Sequence, residues 1–453
     1  MRDEPRFAVV GNPENRRVGL FARAATEAGL PAPRVVPWRD VLREGGATFA
    51  ADEVVRLDSP GEDAEVDRAL RDMDDPTRVE GSARWYARFT AAVRTLDGGR
   101  RLDDPDELAV LFDKRRCHRR LAEAGVPVPA SPTSGAAAPA VRGWADVRAL
   151  MREHAMPRAF VKLAHGSSAS GVLAVETAGG GRVQATTSVE SADGRLHNSL
   201  RVRRITREAE IAALVDALAA DGLHIERWLP KASLHGRVAD LRIVVVDGRA
   251  THAVVRTSRS PLTNLHLGGA RGDLGAAIEA AGVRWEQALE ICERAAACFP
   301  GTLCVGVDLL PAIGWRRFAV GEVNAFGDLL PRLTGLPGSG AEGLDTYAAQ
   351  IAAVRARAAS PTGVRPPYQS VAYEPTAYEP TAYERTAYER TAYELAAYER
   401  TAYELAADES AAPVPAPHEQ APPVPAPHDA TRHVPAGHEP TPHQAPWTRH
   451  ATL

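Results

Sequence analysis

The sequence predicts an α/β unit, then an α+β unit with mainly antiparallel strands, and finally a disordered tail. In the first hundred residues the strand FAVVG, a helix-spaced segment from Arg17 to Ala28 and the strand PRVVPW follow one another. From about Pro105 onward helices alternate with strand-rich segments, and the Asp247-Gly248 pair inside one segment signals a hairpin. Neither pattern continues after about Ser360. The predicted domains are therefore 1–105, 106–355 and 356–453.

The composition favours a cytoplasmic protein that acts on a small molecule or a protein partner. With 453 residues the chain is long enough for two or three hydrophobic cores. Its 54 basic and 58 acidic side chains leave a net charge of −4, which gives no electrostatic footprint for nucleic acid or an anionic membrane. The four cysteines lack metal-ribbon spacing, and no segment has the apolar length of a membrane helix. We therefore expect reduced, mostly buried thiols.

The predicted tail consists of short repeats. From about Ala372 to Leu405 the unit Ala-Tyr-Glu-x-x recurs every five residues, a period that matches neither a helix nor a strand. A segment rich in proline, alanine and histidine follows, and this composition favours solvated, extended backbone. Three interpretations stay open: a docking or modification array of tyrosines, loose metal binding by the six tail histidines, and a repeat expansion without catalytic role.

Two short segments raise the question of phosphate binding. GNPENR, after the first strand, has a single glycine and fails the GxGxxG test, so the first unit is predicted to pack and to bind substrate. Lys162 lies in the strand FVKL directly before HGSSASG, where Gly166 and Gly171 permit sharp turns. A lysine at the edge of such a loop supplies a point charge to phosphate oxygens. The alternative is that the loop is an ordinary turn.

Acidic residues on two short apolar strands suggest a metal site. In GEVNA, Glu322 and Asn324 are two residues apart and therefore point to the same face of the strand. Asp308, in GVDLL on a neighbouring strand, completes a cluster of oxygen ligands of the kind that magnesium prefers. The alternative is that one acid ends a strand and the other forms a salt bridge.

Arginines accompany these acids. Asp240 and Arg242 share one face of a strand, and Arg256 comes from the next strand across the hairpin. The planar guanidinium group matches the oxygens of a phosphoryl group, although surface pairing with acids is equally compatible with the pattern. TNLHLGGARGD follows as a glycine-rich loop that contains the hydrogen-bond donors Asn264 and His266.

Taken in order, these motifs resemble the ATP-grasp superfamily, and most specifically its RimK-like and glutathione-synthetase-like carboxylate–amine ligases. The resemblance covers about Asp106 to Ala352. It is carried by Asp113-Lys114 at the start of a helix, Lys162 before the small-residue loop, IERWLPK, DLR, RTSRSPLTNLHLGG, and Asp308 with EVN. It implies an ATP-grasp fold with a pre-ATP-grasp domain at residues 1–105 and a lid subdomain at about 128–225.

The resemblance also implies roles for individual residues. The two lysines, the flap loop and the hinge strand would bind nucleotide: Lys114, Lys162, His165, Gly166, Ser167, Ser168, Glu226, Arg227, Trp228 and Leu229. Arg242, Arg256 and Asn264 would contact the γ-phosphate and the acyl phosphate, and Asp308, Glu322 and Asn324 would bind Mg²⁺. Two departures are visible, because serines replace glycines in the flap and Lys231 stands where the family often has an acid for the ribose.

The implied function is an ATP- and Mg²⁺-dependent ligase that joins a carboxylate to an amine through an acyl phosphate. An alternative is an ATP-binding regulatory protein without turnover that acts through its tyrosine-rich tail. A third is phosphoryl transfer to an acceptor other than a carboxylate, because fold alone does not fix the reaction. The sequence leaves open the identity of both substrates, peptides and amino acids included, and whether the chain forms a homo-oligomer.

Overall fold

A computed structural model describes residues 4–135, 137–166, 170–326 and 333–359 of the chain. The predicted tail lies outside these residues from 360 onward, as do the flap residues Ser167 and Ser168. Three β-sheets with flanking helices make up the described part, so the predicted combination of α/β and α+β architecture is confirmed. None of the described helices combines the length and the apolar character that crossing a bilayer would require.

The first sheet is parallel and has the strand order β2-β1-β3-β4. The strand–helix–strand start of the chain is confirmed: the largely buried strand β1 leads into α1, whose N-cap side chain Asn15 accepts from the Arg17 amide, and β2 follows. The elements of this unit are β1 Arg6–Val10, α1 Arg16–Glu27, β2 Arg34–Val36, α2 Trp38–Glu44, β3 Ala47–Leu57, α3 Ala64–Arg71, α4 Ser82–Arg94 and β4 Leu96–Arg101.

Two helices connect this sheet to the next, α5 Pro105–Leu111 and α6 Lys114–Glu123. The side chain of Asp113 accepts hydrogen bonds from the amides of Arg115 and Arg116, which is a helix N-cap. The prediction that Asp113-Lys114 opens a helix is therefore confirmed. The cap also fixes the point at which the Lys114 side chain leaves the helix.

The second sheet is antiparallel, with the order β8-β7-β6-β5-β9. Helices α7 and α8 cover one of its faces through Trp144, Val147, Ile211 and Leu214, which form one core with the sheet. The elements are α7 Trp144–Glu153, β5 Arg158–Leu163, β6 Leu173–Thr177, β7 Val183–Ala192, β8 Arg195–Ile205, α8 Glu208–Ala219 and β9 Leu223–Arg227.

The third sheet is also antiparallel, with the order β13-β12-β11-β14-β15 and β10 paired to β11. The predicted hairpin is confirmed, since Asp247 and Gly248 both have positive φ, 51° and 75°, between β11 and β12. The elements are β10 Ser233–Leu234, β11 Arg237–Val246, β12 Arg249–Ser258, β13 Ala270–Arg271, α9 Leu274–Ala281, α10 Trp285–Ala297, β14 Cys304–Pro311, β15 Phe318–Ala325 and α11 Thr346–Ala359.

The two faces of the third sheet differ. One face, with Leu241, Ile243 and Val307, joins the core that includes residues of α10. On the opposite face, Val244 and Val246 belong to a small apolar cluster with residues of α11. Further along the same strands this second face becomes polar, because the alternation of β11 places Asp240 and Arg242 there. Cys117, Cys292 and Cys304 are buried thiols, as expected, and Cys298 is partly buried.

Candidate active site

A cavity of about 570 Å³ is lined by residues of the second and third sheets, of helices α1, α5 and α6, and of the loop after β3. Twelve of the predicted site residues line it: Lys114, Lys162, Gly166, Glu226, Arg227, Leu229, Arg242, Arg256, Asn264, Asp308, Glu322 and Asn324. The wall contains seven basic and five acidic side chains. The cavity therefore has a cationic excess, which suits an anionic ligand.

Lys162 stands on β5, and its ammonium group forms an ion pair with Glu226 on the adjacent strand β9. The second oxygen of Glu226 accepts a hydrogen bond from His224 Nε2 at 3.3 Å. Burial acts to raise the pKa of Glu226, but Lys162 and the hydrogen bond from His224 hold that pKa at about 2. The pair is thus ionised at neutral pH and keeps Lys162 at the cavity wall.

Lys114 approaches from the other side, at the first turn of α6. Its Nζ lies 2.5 Å from Glu322 Oε1 on β15 and donates to the carbonyl oxygen of Gly166 at 2.6 Å. One ammonium group therefore connects the start of the small-residue loop to the third sheet. Its side chain is 13% exposed, so the charge is directed into the cavity and not to bulk solvent.

The predicted metal ligands lie side by side on two antiparallel strands. Asp308 on β14 is the direct cross-strand neighbour of Glu322 on β15, and Asn324 pairs with Gly306. Asn324 Nδ2 donates to the Gly306 carbonyl at 3.2 Å, so the side-chain nitrogen is already hydrogen-bonded. The side-chain oxygen of Asn324 is the atom that could bind a cation. Two carboxylates and an amide oxygen are a donor set that fits a hard divalent cation.

The predicted metal ligands include only two carboxylates, and each of them is paired with a cationic side chain. Among the described residues, no group of three or more histidine, cysteine, aspartate or glutamate side chains is arranged to hold a metal. The cluster thus contains two carboxylates and no third. Both are compensated by cations: Asp308 lies 2.5 Å from Arg242 Nε and 3.0 Å from Arg256 Nη2, and Glu322 pairs with Lys114. These arginines lower the pKa of Asp308 despite its burial.

Asp240 forms a second buried cluster beside the first. Arg256 Nε donates to one of its oxygens at 2.8 Å, and Lys231 Nζ lies 3.3 Å from the other. The Thr263 hydroxyl also donates to Asp240 and accepts from Lys231 at 2.8 Å. The cluster thereby attaches the loop that carries Asn264 to the third sheet.

Two predicted nucleotide contacts are not among the residues that line the cavity. The ring of His165 stacks on Tyr86 with centroids 4.0 Å apart, and its Nδ1 donates to the Phe112 carbonyl at 3.1 Å. The ring of Trp228 packs against Phe160, with centroids 5.3 Å apart. Both side chains are thus engaged in aromatic packing. Ser167, Ser168 and the side chain of His266 lie outside the described part.

The sequence motifs assign no role to Lys231, although the amino-acid composition indicates that it belongs to the site. Only three of the 54 basic residues are lysines, Lys114, Lys162 and Lys231. All three line the cavity, which chance placement among so many arginines would rarely produce. Ammonium groups are compact point charges, and arginine does not replace them where space is limited. The first unit is predicted to bind substrate, but the sequence motifs name none of its residues that line the cavity, Arg17 and Glu62 among them.

No protein-family model and no curated protein matches the chain. Solved structures resemble it. D-cycloserine synthetase DcsG is 17% identical with a TM-score of 0.47, over 78% of this chain and 99% of that one. The ATP-grasp ligase PsnB complexed with minimal precursor is 17% identical with a TM-score of 0.44, over 78% and 99%.

D-alanine–D-alanine ligase from Bacillus anthracis is 12% identical with a TM-score of 0.37, over 78% of this chain and 97% of that one. All three TM-scores are below 0.5.

Proposed function

We propose that the chain is an ATP-dependent ligase of the ATP-grasp type that joins a carboxylate to an amine through an acyl phosphate. One observation carries the proposal. A single cavity brings together two lysines from opposite sides, two arginines, and a row of oxygen donors on neighbouring strands. Each group has a task in phosphoryl transfer, in which catalysis consists mainly of positioning and charge stabilisation.

Lys114 and Lys162 would bind the phosphates of ATP. Each ammonium group is paired with a glutamate, Lys114 with Glu322 and Lys162 with Glu226. An ammonium group has three N–H donors, so each lysine could donate to phosphate oxygens while keeping its carboxylate partner. The hinge segment from Glu226 to Leu229 would receive the adenine, with the Leu229 side chain as the apolar contact.

Asp308, Glu322 and Asn324 would hold Mg²⁺. When bound there, the ion would neutralise phosphate charge and favour attack at the γ-phosphorus. The proximity of Arg242 and Arg256 to Asp308 lowers the pKa of this carboxyl group and would keep it ionised. The same arginines would then contact the transferred phosphoryl group.

The chain's own residues would carry the reaction through two displacements. In the first, a substrate carboxylate oxygen bonds to the γ-phosphorus while the bond to ADP breaks, and Arg242 and Arg256 stabilise the developing charge. In the second, the amine nitrogen bonds to the acyl carbon, phosphate leaves with the electron pair, and the amine loses a proton. Asn264 would orient the acyl phosphate by hydrogen bonding. The scheme requires no protein nucleophile.

Calorimetry with the full chain tests the nucleotide site. We expect Mg²⁺-dependent ATP binding by the wild type, and a loss of about tenfold or more in affinity for both Lys162→Ala and Glu322→Ala. The exposed Arg43→Ala variant serves as the control. A folded wild type that does not bind ATP would overturn the proposal. ADP release that requires both a carboxylate and an amine separates a ligase from a binding protein without turnover.

A further inference from the structure

We propose that a small second cavity, which adjoins Lys114 and Glu322, binds one water molecule, and that His118 acts through this water as a positioning residue for the proposed metal ligand Glu322. The water site is independent of the proposed function. The positioning role rests on that function, because it concerns Mg²⁺ at the proposed site. His118 is not among the residues to which the sequence motifs assign a role.

The second cavity has a volume of about 10 Å³, and its wall contains residues of α5, α6, β9 and β15. A cavity of this size holds about one water molecule and no larger ligand. Leu111, Lys114, Gly321 and Glu322 line this cavity and the large one as well. The two cavities therefore share the part of the wall that carries a proposed phosphate contact and a proposed metal ligand.

His118 supplies the small cavity with a polar atom that the protein leaves unpaired. Its Nε2 lies 2.6 Å from the Pro129 carbonyl oxygen, which only accepts, so Nε2 carries the proton and Nδ1 is an acceptor. Nδ1 is buried and has no hydrogen-bond partner among the described residues, and His118 as a whole is 9% exposed. Buried polar atoms are normally paired with a protein group or an ordered water.

The charge state of the ring agrees with this assignment. Burial lowers the pKa of His118 to about 4, and the neighbouring ring of His224 lowers it further. The imidazole is therefore neutral at pH 7, and Nδ1 keeps a lone pair that requires a donor.

His224, the nearest ring, cannot be that donor. Its centroid lies 5.4 Å from that of His118, and both of its nitrogens have other partners. Nε2 of His224 donates to Glu226 at 3.3 Å, and Nδ1 lies 3.3 Å from the hydroxyl oxygen of Thr133. The donor to His118 must then come from the cavity, and a water molecule fits its volume.

Glu322 provides the second partner for the water. Its Oε1 accepts from Lys114, whereas its Oε2 has no hydrogen bond to a described residue. Water has two hydrogens, so it would donate one to His118 Nδ1 and the other to the Glu322 carboxylate. Each carboxylate oxygen has two lone pairs, and these contacts leave Glu322 able to bind a cation.

The backbone of β15 explains why Glu322 needs such support. The pairing of β15 with β14 passes from Asp308–Glu322 to Leu309–Val320. Gly321 therefore lies opposite no residue of β14, which is a β-bulge, and it lines the small cavity. A bulge interrupts the ladder and redirects the neighbouring side chain. Hydrogen bonds from Lys114 and the water would hold Glu322 in one orientation, as outer contacts do for metal ligands in general.

A high-resolution crystal structure of the full chain without Mg²⁺ tests the water site. We expect one ordered water within hydrogen-bond distance of His118 Nδ1 and of Glu322. A protein donor on Nδ1, or no water there while other buried waters are ordered, would overturn the site.

Two variants of His118 test the positioning role by separating its nitrogens. Glutamine keeps a donor near the position of Nε2 and removes the acceptor at Nδ1, whereas asparagine keeps an acceptor near Nδ1 and removes the donor to Pro129. Calorimetry measures the affinity for ATP as a function of Mg²⁺ concentration. His118→Gln should raise the Mg²⁺ concentration for half-maximal affinity about tenfold. His118→Asn should leave it close to that of the wild type, even if the protein is less stable.

His154→Gln, at an exposed histidine that ends α7, is the control. An unchanged Mg²⁺ requirement in His118→Gln, or a larger increase in His118→Asn, would overturn the positioning role. Val128→Leu adds a methylene to the cavity wall and leaves His118 in place, so it should displace the water and act like His118→Gln. This variant decides the question if neither His118 variant folds. If the wild type does not bind ATP, the proposed function and the positioning role fail together, while the crystal structure still decides the water site.

Discussion

Arg242 and Asp308 are direct cross-strand neighbours, and Arg242 Nε donates to Asp308 Oδ1 at 2.5 Å. Arg256 approaches the same oxygen at 3.0 Å, so one carboxylate lies between two guanidinium groups. On its other side Asp308 faces Glu322. Asp308 therefore links the proposed phosphoryl contacts to the proposed metal ligands.

This arrangement predicts unequal stability effects in the two carboxylates. Asp308→Asn leaves two largely buried arginines with one charge fewer to pair with, and we expect the free energy of unfolding to fall by about 3 kcal/mol. Glu322 is 29% exposed and pairs with a single lysine, so Glu322→Gln should cost about 1 kcal/mol or less. Urea denaturation measures both; equal losses would contradict the central position assigned to Asp308.

A second prediction concerns Lys162. Lys162→Met removes the charge facing the proposed phosphate site and should weaken ATP binding at least about tenfold, with little effect on adenosine. Lys162→Arg should not restore affinity, because the larger guanidinium group does not fit beside buried Glu226. Calorimetry with ATP, ADP, AMP and adenosine checks this. A parallel loss for adenosine would indicate general damage to the cavity.

The cap of α6 provides a third prediction, with a matched control on another helix. Asp113→Ala removes the hydrogen bonds to the first turn and should lower the free energy of unfolding by about 1–2 kcal/mol. Because Lys114 follows directly, ATP affinity should fall as well. Asp63 caps α3 in the same way, and its own side chain is not among those that line the cavity. Asp63→Ala should reduce stability and leave ATP affinity unchanged; a loss of affinity there too would refute the local explanation.

Asp103 gives the fourth prediction, on pH. Burial raises the pKa of Asp103 from 3.8 to about 7. As the pH rises, Asp103 therefore loses its proton at a lower pH in the unfolded chain than in the folded chain. The protonated carboxyl group contributes its full stabilisation below pH 3.8, and this contribution is lost as the pH rises through about 7. Asp103→Asn cannot ionise and should gain stability relative to the wild type over this interval. Thermal unfolding at pH 4 and pH 7.5 measures the difference, and a constant difference would contradict the shift.

Local patterns explain what could be predicted from sequence. Period-two spacing placed Glu322 and Asn324 on one face, and the Asp247-Gly248 turn placed Arg256 beside Asp240. These relations span few residues and depend on backbone geometry alone. The arrangement of neighbouring strands then brought Asp308 to Glu322.

Long-range packing explains which contacts of the site could not be predicted from the sequence. The ion pair of Lys114 with Glu322 joins residues 208 positions apart, and no local period determines such a contact. The stacking of His165 on Tyr86 is likewise set by how α4 meets the loop after β5. The cavity wall with Arg17 and Glu62 depends on the placement of the whole first sheet. The domain boundaries stay predictions.

The scarcity of lysine has a practical consequence for labelling. Every ε-amino group of the chain belongs to the cavity wall, so any lysine modified by an acylating or alkylating reagent is a residue of this cavity. Biotinylation or amine coupling to a sensor surface would modify the cavity itself. Dyes and tethers are therefore better attached to side chains other than lysine. Peptide mass mapping of acetylated lysines would report whether a ligand occupies the cavity.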